Sequence, residues 1–263
     1  MFPRDAVPPL GLPGSWLSQA EAHVPSGSEW LSEKETGWLA GMRFPKRRNE
    51  FRLGRWTAKR AIAIGLGLPE HPAALADIEI ARAPDGAPLP LLGGRPAPLA
   101  LSMTDRAGWA VCLIAQPQLA VGCDLELIET RSSAFVADYL TEPEQRLVRS
   151  AGDDAERARV ANLVWCGKES ALKVLRTGLR RDTRSVEVSF PIEGSKDGWA
   201  PLLVTAQEGP RFPGWWRRFG AFLLTVAADR AWPPPVALEE ATVLDRAVPA
   251  ESWLGRPNSP RTP

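Results

Sequence analysis

The chain alternates one long helical segment with a group of short strand-like runs, and does so twice. A long helix is expected over about Arg47–Gly65, where Gly65 and Gly67 stop it ahead of Pro69. Another is expected over about Glu156–Arg176, with Val160, Val164, Ala171 and Leu175 at helical spacing toward a core. A shorter helix fits Trp30–Gly41. Strand signals follow the first long helix at Ile78–Ala81, Leu99–Met103 and Trp109–Ala115. They follow the second at Ser185–Phe190, Leu202–Ala206 and Phe219–Ala227, and Leu119–Leu127 lies between the two sets. This order predicts an α+β fold of two pseudo-symmetric halves, each a small, mainly antiparallel sheet packed with a long helix. No repeat of identical residues accompanies it. The halves divide as 1–118 and 119–232 and meet near residues 116–120, a junction of the kind that ligand sites favour. Residues 1–28 read as an irregular lead-in, 84–98 as a proline- and glycine-dense loop, and 233–263 as a Pro-rich tail, disordered or loosely docked.

Composition narrows the function classes. At 44% hydrophobic and 24% charged the chain is an ordinary globular protein, and a net charge of +1 gives it no overall pull toward nucleic acid. No apolar run approaches the roughly eighteen residues of a membrane span. The start, Met1-Phe2-Pro3-Arg4-Asp5, lacks the pattern of a signal peptide. Cys112, Cys123 and Cys166 show no CxxC spacing and read as small buried hydrophobes, reduced in a cytoplasm.

Chemistry concentrates in two places. In Val121-Gly122-Cys123-Asp124-Leu125-Glu126, a strand puts Asp124 and Glu126 on one face, with Cys123 and Leu125 on the other. Two adjacent carboxylates in a buried strand repel and are costly to desolvate, which a Mg²⁺ or Mn²⁺ ion relieves. At a sheet edge the same acids are simply solvated. Further on, Trp165, Glu169 and Lys173 lie four apart on the long helix and form one ridge. Glu169 there is placed to complete a metal site and Lys173 to meet phosphate, or the two form an ordinary exposed i, i+4 pair. Gly167, inside the same turn, hints at close packing.

Arg48, Arg52, Arg55 and Lys59 cluster on one side of the first long helix. Like charges in line repel, so the row reads either as an anion site or as a solvated face paired with acids. No interleaved aromatics or second basic patch support nucleic acid. Thr141-Glu142-Pro143-Glu144 reads as a helix start with Glu144 closing a capping box. His23 and His71 fall in loop-like stretches and read as surface residues. Trp109 and Trp165 read as core, while Trp215 and Trp216 fit either a core or a protein-docking surface.

Together these pieces resemble the 4′-phosphopantetheinyl transferases of the Sfp type. Their signature pairs (V/I)-G-x-D-x-E with (W/F)-(S/C/T)-x-K-E-(A/S)-x-x-K about forty residues on. Val121–Glu126 and Trp165–Lys173 match every defined position. Arg48, Phe51, Gly54-Arg55 and Lys59 look like the family's first helix, so the resemblance spans about residues 30–228. It implies transfer of the 4′-phosphopantetheine arm of coenzyme A to a serine of an acyl or peptidyl carrier protein of polyketide, nonribosomal-peptide or fatty-acid synthesis. The serine hydroxyl attacks the β-phosphate and adenosine 3′,5′-bisphosphate leaves. Cysteine usage, hydropathy and charge make the expectation a cytoplasmic protein with no nucleic-acid or membrane partner, and two fused halves in one chain could form the whole site. Asp124, Glu126 and Glu169 would hold Mg²⁺ or Mn²⁺, and Lys168 and Lys173 would lie near coenzyme A, Lys173 on phosphate. Arg48 and Arg55 would take the nucleotide's 3′-phosphate. Glu144 aligns with an acid assigned in some members as the base for the carrier serine.

Leu101-Ser102-Met103-Thr104-Asp105-Arg106 departs from the pattern. Thr104 keeps the family's hydroxyl, but Asp105 stands where a phosphate-binding His is expected, and an ionised carboxylate repels phosphate. Arg106 substitutes for it, or Asp105 joins the metal ligands, or the chain is a binding homologue without turnover. Gly86-Ala87-Pro88 likewise replaces the family's Gly-Lys-Pro.

Overall fold

The computed structural model describes residues 14–191, 198–240 and 242–250. The first half comprises β1 (Ser15–Ala20), α1 (Glu33–Ala40), α2 (Pro45–Leu66), α3 (Pro72–Ala76), β2 (Ile78–Arg82), β3 (Pro88–Leu92), β4 (Arg95–Pro96), β5 (Ala100–Arg106) and β6 (Trp109–Ala115). The second comprises β7 (Val121–Leu127), α4 (Ser133–Tyr139), α5 (Glu142–Ser150), α6 (Asp154–Val174), β8 (Val186–Ser189), β9 (Ala200–Ala206), β10 (Arg211–Phe219) and β11 (Phe222–Ala228). Short β12 (Val236–Ala237) and α7 (Thr242–Asp245) follow. The α+β expectation holds.

Two sheets, ordered β12-β1-β6-β5 and β7-β11-β10-β9-β8, stack between the two long helices. Alternation along the strands produces the layers. Leu17, Cys112 and Ile114 face Ala58, Ala61 and Ile62 of α2, whereas Trp16, Val111 and Leu113 face Cys123, Leu125, Leu224 and Val226 of the second sheet. The opposite face of that sheet, through Leu223 and Ala227, packs on Leu163, Val164 and Ala171 of α6. Each central strand is thus covered on both faces, and β6 and β11 are buried along their whole length. Antiparallel pairing dominates; the β1–β12 pair is parallel. A hairpin of β2, β3 and β4 flanks the first half.

The twofold character shows in a buried device present once in each half. Ser32 and Glu35 form a capping box at α1, Glu35 accepts from the Ile80 backbone N–H at 2.9 Å, and Lys59 of α2 meets Glu35 at 2.6 Å. Thr141 and Glu144 form the same box at α5, Glu144 accepts from the Val188 N–H at 2.8 Å, and Lys168 of α6 meets Glu144 at 2.8 Å. The spacing from acid to lysine is 24 residues in both (35 to 59, 144 to 168). Each lysine, 0% exposed, also donates to carbonyls: Trp30 and Leu75 for Lys59, Thr183 and Val186 for Lys168. Burial lowers both lysine pKa values while the paired glutamates hold them charged. One ion pair therefore ties short helix, long helix and strand together in each half.

Three expectations change. Ser15–Ala20 is not lead-in but a strand inside the first sheet, because Trp16 and Leu17 supply its two buried faces; residues 1–13 lie outside the described residues. The 84–98 stretch contains β3 and β4, since the prolines fall where a short outer hairpin loses few ladder bonds. The single run expected over Phe219–Ala227 is the end of β10, a turn at Gly220 with φ of 55°, and β11. Within the tail, β12 docks on β1, and residues 251–263 lie outside the described residues.

Candidate active site

The seam between the halves is where β5 of the first sheet runs beside β7 of the second, with α6 across β7. Gly122 sets that approach, and Gly167 sets the fit of α6 against β8. A Cβ on Gly122 would stand 2.0 Å from the Ser170 carbonyl oxygen, and one on Gly167 would meet Val188 at 3.1 Å. Any side chain at 122 would push α6 off the strand. The close packing lets Lys173 Nζ donate to the Cys123 carbonyl and to Asp124 Oδ1, both at 2.8 Å. The Cys166 thiol reaches the Asp124 carbonyl at 3.1 Å, and Ser170 and Thr225 share a hydroxyl contact of 2.6 Å. All three cysteines are free and buried, and burial pushes each thiol up, Cys123 to about 11.

Asp124 is 6% exposed. Its Oδ1 accepts from Lys173 and from the Thr104 hydroxyl at 3.0 Å, while its buried Oδ2 has no hydrogen-bond partner. Glu169 Oε1 is a second buried oxygen without a partner. Burial, then the Asp124 and Glu126 carboxylates, push Glu169 up to about 7 against the pull of Lys173. Burial opposes the charge on Lys173, but Asp124 and its neighbours outweigh that and hold the ammonium above its ordinary range. Glu126 is occupied differently. It accepts from Trp165 Nε1 at 2.9 Å and from Arg131 at 2.9 Å, and pairs with Arg106 at 3.3 Å. Burial and Asp124 raise its pKa, and the two arginines pull it back.

Among the described residues, no group of three or more His, Cys, Asp and Glu side chains is arranged to hold a metal ion. Glu126, expected beside Asp124 and Glu169 on a metal ion, is here bonded to Trp165 and Arg131 and paired with Arg106. What fits a cation is the remaining pair, buried Asp124 and half-buried Glu169, each with a buried orphan oxygen, and oxygen donors suit Mg²⁺ or Mn²⁺.

Other expected site residues serve the fold. Glu144 is 2% exposed, and its oxygens are filled by the Thr141 and Val188 N–H groups and by Lys168, so it is sealed from any serine hydroxyl. Its twin Glu35 does the same job in the first half. Lys168, its partner, is equally sealed. Arg48 donates to the Leu39 and Met42 carbonyls. Arg55 donates to the Ile80 carbonyl, stacks on Phe51 and lies 3.9 Å from Glu35. Arg52 ties down the carbonyls of Pro25, Ser26 and Gly27. The basic row is thus neither a free anion site nor a solvated face: it braces chain segments around α2. Thr104 orients Asp124. Asp105 lies on the surface, where crowding by neighbouring groups and the Glu50 carboxylate push it up to about 6, with Lys173 pulling down and Asp124 pushing up. Arg106 does not replace the missing His; it turns to Glu126 and Glu129.

A cavity of about 530 Å³ opens beside this seam, with walls from both halves. Leu99, Leu101, Met103 and Pro90 supply apolar surface, and its charged residues are Arg82, Asp85, Lys173, Arg176 and Arg180. Lys173 therefore touches both the cavity and Asp124. The three arginines escaped the sequence reading because they share no helical face; Arg82 ends β2, and Arg176 and Arg180 lie beyond α6. Neither Arg48 nor Arg55 lines it. The two histidines are at the surface, and Trp109, Trp165 and Trp216 are buried.

A cleft between two halves, bounded by a lysine that bonds Asp124, is the kind of place where ligands of moderate size bind. Residues 120–198 match the family model of the 4′-phosphopantetheinyl transferase superfamily, which supports a transferase of the phosphopantetheinyl kind. That stretch holds Asp124, Glu126, Glu169 and Lys173. No curated protein gives a significant match to the chain. Among the described residues, no helix is long and apolar enough to cross a membrane.

Proposed function

We propose that the chain is a transferase of the Sfp type, moving the 4′-phosphopantetheine arm of coenzyme A to a serine of an acyl or peptidyl carrier protein. The observation that carries this reading is the pair of orphan carboxylate oxygens on Asp124 and Glu169 close to Lys173, which itself lines a cavity of about 530 Å³. Asp124 and Glu169 would hold Mg²⁺ or Mn²⁺. Such an ion, when bound, neutralises charge on the diphosphate. Lys173, charged throughout the neutral range, faces the same phosphates and stabilises negative charge that develops on the bridging oxygen. Thr104 holds Asp124 in place, and the wall of Leu99, Leu101 and Met103 excludes water from one side. The carrier serine oxygen bonds to the β-phosphorus, the bond to the bridging oxygen breaks, and adenosine 3′,5′-bisphosphate departs. Glu144 is buried away from this chemistry, so the serine proton passes to solvent water.

Incubation with coenzyme A, Mg²⁺ and a panel of apo carrier proteins should add one phosphopantetheine increment to a carrier's intact mass. Asp124→Asn should abolish the increment. Absence of any increment across acyl and peptidyl carriers at high enzyme concentration overturns the reading.

The arginine clamp on Glu126 and the carboxylate of Asp105 favour a second reading: a homologue that binds coenzyme A or a carrier without turnover. Coenzyme A binding by calorimetry, no mass increment, and activity gained by Asp105→His would together identify it.

A further inference from the structure

Two arginines and two glutamates form one network around Glu126, and three of the four lie outside the two signature runs. Arg131, ahead of α4, donates to Glu126 Oε2 at 2.9 Å and to Asn162 Oδ1 of α6 at 2.6 Å. Its guanidinium stacks on Phe135 at 4.7 Å. Asn162, fully buried, is fixed in turn by the Glu129 and Ala158 carbonyls at 2.6 and 2.7 Å. Arg106, which ends β5, bonds Glu129 and lies 3.3 Å from Glu126, but its buried Nε makes no hydrogen bond there. Arg131 therefore holds Glu126 by a directed bond and Arg106 holds it by charge alone. The four charged side chains are only 11–19% exposed, so solvent screens them weakly.

Glu126 shares a strand face with Asp124, and its carboxylate pushes on that of Glu169. Both of its oxygens are taken, Oε1 by Trp165 and Oε2 by Arg131, whereas Asp124 and Glu169 each keep a bare oxygen. The arginines produce that difference among three neighbouring acids. Glu129 makes the arrangement reversible. It bonds Arg106 and lies 4.0 Å from Arg131, so Glu126 can leave without stranding two half-buried guanidinium groups.

We propose that Arg131, braced by Asn162 and assisted by Arg106, is a clamp that withholds Glu126 from a divalent cation at Asp124 and Glu169, and so sets how tightly the site takes the ion. Glu129 is the counter-ion that keeps the arginines in place when Glu126 is released. This rests on the metal reading above and assigns the tuning of that site to residues outside it.

Titration of the full chain with Mn²⁺ alone, following the free ion by electron paramagnetic resonance, tests it. Arg131→Gln removes the charge, and Mn²⁺ affinity should rise about fivefold or more. Glu126→Gln alone should change it by less than about twofold, and the gain from Arg131→Gln should vanish when Glu126→Gln is also present. Arg106→Gln loosens the same clamp from β5 and should move affinity in the same direction, which keeps the test decisive if Arg131→Gln does not fold. Thermal melts identify the folded variants. A folded arginine variant with no gain overturns the clamp. So does a gain of equal size in the Glu126→Gln background, which is the arginine's field acting without Glu126. So does loss of Mn²⁺ binding in Glu126→Gln alone, because that acid would then already ligate the ion. Failure of the wild-type protein and every variant to bind Mn²⁺ overturns the metal reading as well.

Discussion

Replacing Lys168 by methionine removes the ammonium that pairs with Glu144 at 2.8 Å, while leaving a side chain of similar length to fill the space. Both partners are sealed, with side-chain exposures of 0% and 1%. Breaking a buried pair from one side costs roughly 3–5 kcal/mol, because the surviving charge keeps its desolvation penalty. Glu144 still accepts from the Thr141 and Val188 N–H groups, and burial already favours its protonated form, so the lower end of that range is expected. For a chain of this size each kcal/mol moves the melting temperature by about 2–4 °C, so the loss should be roughly 6–12 °C. Glu144→Gln in the same background removes the orphaned charge and should recover part of it, giving a coupling energy above about 1 kcal/mol in a double-mutant cycle. Thermal scans and denaturant titrations of the four proteins provide the measurement. Melting within a degree or so of wild type for Lys168→Met would refute the architectural role. So would a Glu144→Gln protein of unchanged stability that loses all transfer, since the acid would then be chemical.

Glu169 carries a pKa raised to about 7, so the stability it confers is full below its unfolded value near 4.5 and is lost as pH rises through about 7. Metal-free Glu169→Gln should therefore melt above wild type at pH 8 by an amount worth roughly 1–2 kcal/mol, and equal stabilities at pH 8 would contradict the desolvated, partnerless carboxylate. Gly122→Ala places a methyl group 2.0 Å from the Ser170 carbonyl oxygen and should cost about 1–3 kcal/mol in chemical denaturation while weakening Mn²⁺ binding, because Asp124 moves with the strand. Asp105→His removes a carboxylate from the neighbourhood of Asp124 and Lys173, and coenzyme A affinity by calorimetry should rise several-fold, about tenfold at most.

Much of the fold was legible because burial on one face imposes a period. Val160, Val164 and Ala171 announced α6, and Trp109–Ala115 was bounded to the residue as β6. Regions dense in proline and glycine misled, since β1 is completed by partners distant in sequence, and the prolines of β3 and β4 sit in a short outer hairpin that tolerates them. The repeat was also present in the text, as two capping boxes each followed 24 residues later by a lysine. It went unseen because the intervening residues differ, and only the ion pairs show what the spacing is for.

Residue order alone determined the two long helices, the strand facing of Asp124 and Glu126, and the ridge of Trp165, Glu169 and Lys173, because helix and strand periods act over a few residues. Tertiary structure decided which charges remain for a ligand. Glu126, Glu144, Lys168, Arg48 and Arg55 are consumed by partners from other elements, whereas Asp124 and Glu169 keep bare oxygens. A buried charge must be paired or it costs energy, and the partner that satisfies it comes from wherever the packed chain brings one.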